Sequence, residues 1–228
     1  MQRQQRRIAS LQGRIANPQD AYERCALFPC PHPTTAHMRE GLNRVYCRKH
    51  IEFFRRHGSY TKRSYSAGEL RRYRVRAIRW LSQHRDDAEV DQAVAAVWRL
   101  YYLGGRAVQA FRLAGKTPTE RAKAVWAQLR EKQIDALEVL AAWMAIDMRL
   151  RDDPQPDCHE EYREVQVAKL IHRMAGGTHK RWEHERQDGK LEVTELHKHP
   201  VSRGRVLRVV GSDTASAARS LQQIRLAP

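Results

Sequence analysis

Apolar side chains recur at three- and four-residue spacing through most of the chain, which predicts a mainly helical protein. Ser66-x-x-Glu69 forms a capping box that opens a helix from about Ala67 to His84, with Leu70, Tyr73, Ala77 and Leu81 on its buried stripe. Asp86 and Asp87 can cap a second helix, where Val90, Val94, Val97 and Tyr101 share a face and Gly104-Gly105 ends it. Trp98, Tyr102, Val108 and Phe111 read as core. Thr117-Pro118-Thr119-Glu120 combines an N-cap, a proline at the first helical position and a capping glutamate. From there to Arg151 no Gly or Pro intervenes, and Ala122, Val125, Leu129, Ala136, Leu140, Trp143 and Met144 keep a helical period. If continuous, that helix is about 50 Å long at 1.5 Å per residue, the spine of a bundle or a surface for a second copy or a protein partner. Polar Arg130 to Gln133 marks where it would break.

Asp152-Asp-Pro-Gln-Pro-Asp157 interrupts the pattern and reads as a linker between domains. Beyond it the spacing predicts a helix from Cys158 to Ala175, stopped by Gly176-Gly177. Strand character follows over 180–197 around the hairpin signal Asp188-Gly189. Val201–Val210 reads as a third short strand and Ser212–Leu226 as a last helix. At the other end, Ile8, Leu11 and Ile15 stripe a short helix or arm that also carries Arg3, Arg6, Arg7 and Arg14.

The chemistry that the letters name lies between these parts, in CALFPCPHPTTAHMREGLNRVYCRKH, residues 25–50. A Cys25-x4-Cys30 pair precedes a Cys47-x2-His50 pair, the two-plus-two set of soft and borderline ligands that closes a tetrahedral Zn²⁺ site. Val45 to His57 reads as a helix ended by Gly58, so Cys47 and His50 would bind from one turn, while Pro29, Pro31 and Pro33 stiffen the first pair. His32 and His37 are rival donors in the loop.

The run YCRKHIEFFRRHG, preceded by the Cys25/Cys30 pair, resembles the short Cys-Cys-Cys-His zinc modules of phage and mobile-element proteins, often found beside HNH-type homing endonucleases. The resemblance covers about residues 25–58. It implies zinc on Cys25, Cys30, Cys47 and His50, with Arg48, Lys49, Arg55 and Arg56 on or beside a helix that faces phosphate. No HNH centre follows, since residues 58–85 offer mainly Arg, Ser and Tyr.

Charge sharpens this picture. The net charge is +16, and residues 1–85 hold nineteen Lys and Arg against five Asp and Glu, so the positive field surrounds the cysteine motif. A polyanion suits such a field because neutralising phosphates releases condensed counterions; an acidic protein or a membrane surface would meet the same field. Arg71, Arg72, Arg74, Arg76 and Arg79 crowd the capped helix at a cost in repulsion, which points to a second phosphate-contacting element. The linker GSYTKRSYSAG adds Lys62 and Arg63 along a backbone, with Tyr60 and Tyr65 to stack on bases.

The expectations are these. The fold is mainly α, with a basic arm (1–24), a zinc-stabilised module (25–58), a central helical bundle with one long helix (59–151), a linker (152–157) and a small α+β unit of helix plus hairpin (158–228). The function is nucleic-acid binding, DNA rather than RNA, with a protein-interaction adaptor or inhibitor and a nuclease or recombinase accessory as alternatives. No phosphate-binding glycine loop, nucleophile elbow or internal repeat appears, and His184, His197 and His199 lack matching carboxylates, so an enzyme is disfavoured. The absence of an apolar run long enough to span a bilayer, of a signal-like N-terminus and of a paired cysteine framework predicts an intracellular protein, nucleoid-associated if bound to DNA.

Overall fold

The computed structural model describes residues 23–157, 159–176, 178–186, 189–198 and 204–221, with isolated positions between 5 and 16. The arm expected over 2–16 depends on Leu11, Ile15 and arginines outside the described residues, as Cys158 and His199 also are. The chain divides into two units, Met1–Arg56 and His57–Pro228.

The first unit is built of turns and extended segments that lead into helix α1, Arg48–His57. Its backbone pairs in short pieces: Cys25 N–H to His32 O (2.9 Å), Thr34 N–H to Glu23 O (2.8 Å) and Ala26 N–H to Val45 O (2.8 Å). Asn43 Oδ1 accepts from the amides of Val45 and Tyr46 (2.8 and 2.7 Å), holding those two residues in a side-chain-closed turn. That turn delays the helix, which starts at Arg48 rather than Val45, with Cys47 just ahead of it.

The second unit contains helices α2 (Ala67–Gln83), α3 (Ala88–Leu103), α4 (Pro118–Glu131), α5 (Ala136–Arg151), α6 (Glu160–Ala175) and α7 (Arg205–Ala217), and strands β1 (Thr178–Glu185) and β2 (Leu191–Lys198). Both predicted capping boxes form, at Ser66/Glu69 and Thr117/Glu120. The buried residues of α2 are Leu70, Tyr73, Ala77 and Leu81, the stripe read from spacing. The expected single long helix is instead two. Gln133 takes φ 54°, Ile134 N–H returns to Leu129 O (3.0 Å), and Asp135 caps α5 through Leu137 N–H (2.9 Å). Tyr101 Oη donates to Ile134 O (3.1 Å), so a second helix holds the break. Severed there, α5 sits at the centre and is buried on nearly every side, from Ala136 through Leu140, Trp143 and Ile146 to Leu150, against α2, α3, α6 and α7.

Residues 152–157 join α5 to α6, and both helices contribute to one core that runs from Tyr65 to Leu221. The proline-bearing segment read as a domain linker is therefore a connection inside one packed unit, with Asp153 buried in it. Of the strand expected over Val201–Val210, residues 201–203 lie outside the described set, and Arg205 to Val210 instead start α7, which replaces the helix expected from Ser212. β-branched Val206, Val209 and Val210 carry strand propensity, but burial of Val206, Leu207, Val210, Gly211, Thr214 and Ala217 on one helical face outweighs it. A Cβ at Gly211 would stand 2.6 Å from Glu164 O, so α6 and α7 touch backbone to backbone there. The hairpin pairs Thr178 with Lys198 through Glu185 with Leu191. Beyond the paired strands Arg186 N–H bonds Lys190 O (2.9 Å), and Gly189 at φ 77° donates to Arg186 O (2.9 Å); Asp188 of the expected two-residue turn lies outside the described residues.

Trp98 and Tyr102, read as core, are exposed. The inward face of α3 is Val90, Ala93, Val97 and Tyr101, which turns their neighbours outward. Tyr65, offered as a base-stacking residue, is instead buried edge-on against Tyr162. Among the described residues no helix is long and apolar enough to cross a membrane.

Candidate metal centre and basic helical face

Turn geometry delivers the first two sulfurs of the N-terminal unit. Cys30 N–H closes a tight turn on Leu27 O (2.7 Å), which folds Cys30 back beside Cys25. Cys47 and His50 arrive from the start of α1, where His50 N–H and Ile51 N–H both return to Cys47 O (3.1 Å each). One donor atom from each of Cys25, Cys30, Cys47 and His50 lies within 4.8 Å of the other three. Cys25 Sγ and Cys47 Sγ each stand 3.3 Å from His50 Nδ1, and Cys30 Sγ stands 3.9 Å from Cys47 Sγ. Tetrahedral zinc with the usual bond lengths needs S···N edges of about 3.6 Å and S···S edges of about 3.8 Å, so the four residues fit a metal ion. The S···S distance is far beyond a disulfide bond, and the three cysteines are free thiols. The rivals His32 and His37 are exposed and outside the cluster.

The electrostatics agree with that chemistry. Burial, with the neighbouring Cys25 and Cys47 sulfurs, pushes the Cys30 thiol up to about 11, while a hydrogen bond from the His32 backbone works against it. A bound dication would reverse that logic by holding its sulfur ligands as thiolates. Burial, then Lys49 and His32, lower the His50 pKa, keeping the imidazole in its neutral, ligating form. The apolar core of this unit, among the described residues, is Cys25, Cys30 and Cys47 with Leu27 and Tyr46 packed against them. So small a cluster cannot order the segment by burial alone.

The basic residues singled out by sequence divide into two kinds. On α1, Arg48 pairs with Glu40 and Glu52 (3.7 and 3.3 Å) and Arg56 with Glu52 (3.8 Å), which neutralises part of that helix, while Lys49 and Arg55 are exposed. On α2, Arg71, Arg76 and Arg79 are exposed and make no ion pair among the described residues; Arg72 lies along the Tyr73 ring (4.6 Å) with Asp152 at 3.9 Å. At about 100° per residue these four arginines fall within an arc of about 140°, opposite the buried stripe. They line a shallow concavity of about 660 Å³ with Gly68 and Val75, and no carboxylate is among its lining residues.

Two candidates are committed to the fold instead. Arg74 bonds Glu138 (2.8 Å). Lys62 pairs with the buried Asp153 and the Gln155 carbonyl. Asp153 also accepts from Tyr65 Oη (2.6 Å), and Arg149 reaches both Asp153 (3.7 Å) and Glu69 (3.6 Å) while lying 4.6 Å over the Tyr65 ring. Burial would raise the Asp153 carboxyl, but Lys62 and Tyr65 outweigh it and hold it at about 2. No spacing rule signals this network, because its members are up to 93 residues apart in the chain, from Lys62 to Gln155. Arg63 stays exposed. Of the histidines weighed for a second centre, His184 faces Glu192 (3.5 Å) on the hairpin, and the side chains of His197 and His199 lie outside the described set.

No protein-family model, curated protein or solved structure matches the chain.

Proposed function

We propose that this protein is a zinc-stabilised nucleic-acid-binding protein that holds DNA by its phosphate backbone through the outward face of α2. The observation that carries the reading is the concavity lined by Arg71, Arg72, Arg76 and Arg79 without a carboxylate. Guanidinium forks gathered on one side of a helix match phosphate oxygens bidentately, and a chain of net charge +16 draws a polyanion from a distance. Zinc on Cys25, Cys30, Cys47 and His50 is structural in this reading: a closed set of four protein ligands leaves no open position for catalysis. The likeness of that motif to modules of phage and mobile-element proteins fits the same role.

Salt titration of affinity for a DNA duplex tests the proposal. Four phosphate contacts from α2 alone give a fall of about a hundredfold between 50 and 200 mM salt, and Arg71→Ala with Arg76→Ala reduces the logarithmic salt slope by about 2. Salt-independent binding, or a double variant that binds like the parent, overturns it.

A further inference from the structure

We infer that Trp98 and Tyr102, at the C-terminal end of α3, form a stacking platform for the unpaired bases of a single-stranded nucleic acid. The two residues are four apart and share the outward face of the helix, 38% and 68% exposed, with Leu103 beside them at 64%. Their rings lie 6.4 Å apart and tilted by 36°. Aromatic surface of this size left in water on a well-packed helix marks a contact site. Trp98 is braced from behind by the buried Tyr101 ring, edge-on at 5.2 Å, so the platform is pre-set.

The surrounding charge selects the occupant. From Gln92 to Thr119 the chain has no acidic residue, whereas Arg99, Arg106, Arg112 and Lys116 fall within that stretch. Arg99 and Arg106 are exposed on either side of the Tyr102 position in sequence. Arg130, from α4, donates to Tyr101 O (3.2 Å) and Gly105 O (2.5 Å), which fixes its guanidinium 5.9 Å from the Tyr102 ring. A second copy of the chain would bring like charges together. An acidic protein would satisfy the arginines but meets the rings with a flat face only where one of its own aromatic or Arg side chains falls opposite them. Bases offer a π-face to each ring and phosphates offer charge to each arginine, which is how sequence-tolerant single-strand binders work. The inference rests on the nucleic-acid reading above and adds to it a strand with bases exposed.

The test uses the full zinc-loaded chain and two labelled probes, a short oligothymidine and a duplex of the same length, read by fluorescence anisotropy. Trp98→Ala and Tyr102→Ala each weaken oligothymidine binding by about tenfold or more and change duplex binding little, the duplex serving as the check that Trp98→Ala, which also loses its packing on Tyr101, is still folded; Tyr102→Ala keeps the parent melting temperature because its ring is exposed, and Tyr102→Phe retains the affinity. Arg71→Ala with Arg76→Ala weakens binding to the duplex. Unchanged oligothymidine affinity in the two alanine variants, or equal loss on both probes, overturns the platform while leaving the α2 reading in place. Binding to neither probe by the parent chain overturns both. Loss of self-association in Trp98→Ala with oligothymidine binding intact makes the patch a contact between copies and also overturns the inference.

Discussion

Among the described residues of 1–56 the buried apolar set is three cysteines with Leu27 and Tyr46 against them, whereas among those of 57–228 it runs from Tyr65 to Leu221 and takes in Trp126, Leu140, Trp143 and Ile146. The one segment is short of apolar surface and gathers soft ligands instead. The other surrounds a helix, α5, with four more. A metal clasp and a close-packed core are alternative answers to the same entropic cost of ordering a chain, and they fail under different insults: chelation, oxidation or acid for the first, a cavity for the second.

The largest expected effect falls on the clasp. On the proposed zinc reading, chelation of the metal, or Cys47→Ser, should remove hydrogen-exchange protection over 23–56, because structural zinc supplies about 10 kcal/mol or more of folding energy. Protection across α2 to α7 should persist; its loss would show that the two segments depend on each other. The reciprocal variant, Leu140→Ala, empties a fully buried site in α5 and should cost about 3 kcal/mol in denaturant melts. Zinc content should not change.

A third effect separates polar from apolar support within the helical unit. Asp153 is held at about 2 against an ordinary 3.8, a depressed carboxylate. Its contribution is therefore present above about pH 4 and is lost as pH falls through 2, on the order of 2 kcal/mol. Asp153→Asn should remove that acid dependence and destabilise by a similar amount at neutral pH, leaving Lys62 without its charged partner.

The smallest effect has the opposite sign. Burial raises the Asp213 carboxyl, and the hydrogen bond from Trp126 Nε1 (2.9 Å) only partly offsets it. A raised acid favours the fold while protonated and weakens it as pH climbs through the unfolded value. Asp213→Asn keeps an acceptor for Trp126 and sheds the charge that burial penalises, so it should stabilise at pH 7 and change nothing near pH 3. A loss of stability at pH 7 would show that the ionised carboxylate strengthens the Trp126 bond more than burial penalises it.

Local signals carried a long way. Ser66 with Glu69, and Thr117 with Glu120, cap the helices they announce, because a capping box is satisfied by atoms within one turn. The four residues picked for a metal are the four brought together, since donor type and spacing were enough to find them. Signals that compete locally misled: valines from 206 to 210 prefer a strand, and Cys158 is outside the described residues while its expected helix begins at Glu160. Arg74 and Lys62 looked like their neighbours and were spent on Glu138 and Asp153.

Residue order alone thus determined the capped helix starts, the inward stripe of α2, the metal-ligand set and the concentration of positive charge, because each depends on neighbours within a turn or on a simple count. Tertiary structure alone decided which arginines remain outward, that Trp98 and Tyr102 face water, that α4 and α5 are separate and that residues 152–157 lie within one packed unit. Those outcomes follow from which surfaces meet across large separations in the chain, and a buried carboxylate such as Asp153 chooses its cations by proximity in space rather than by distance along the backbone.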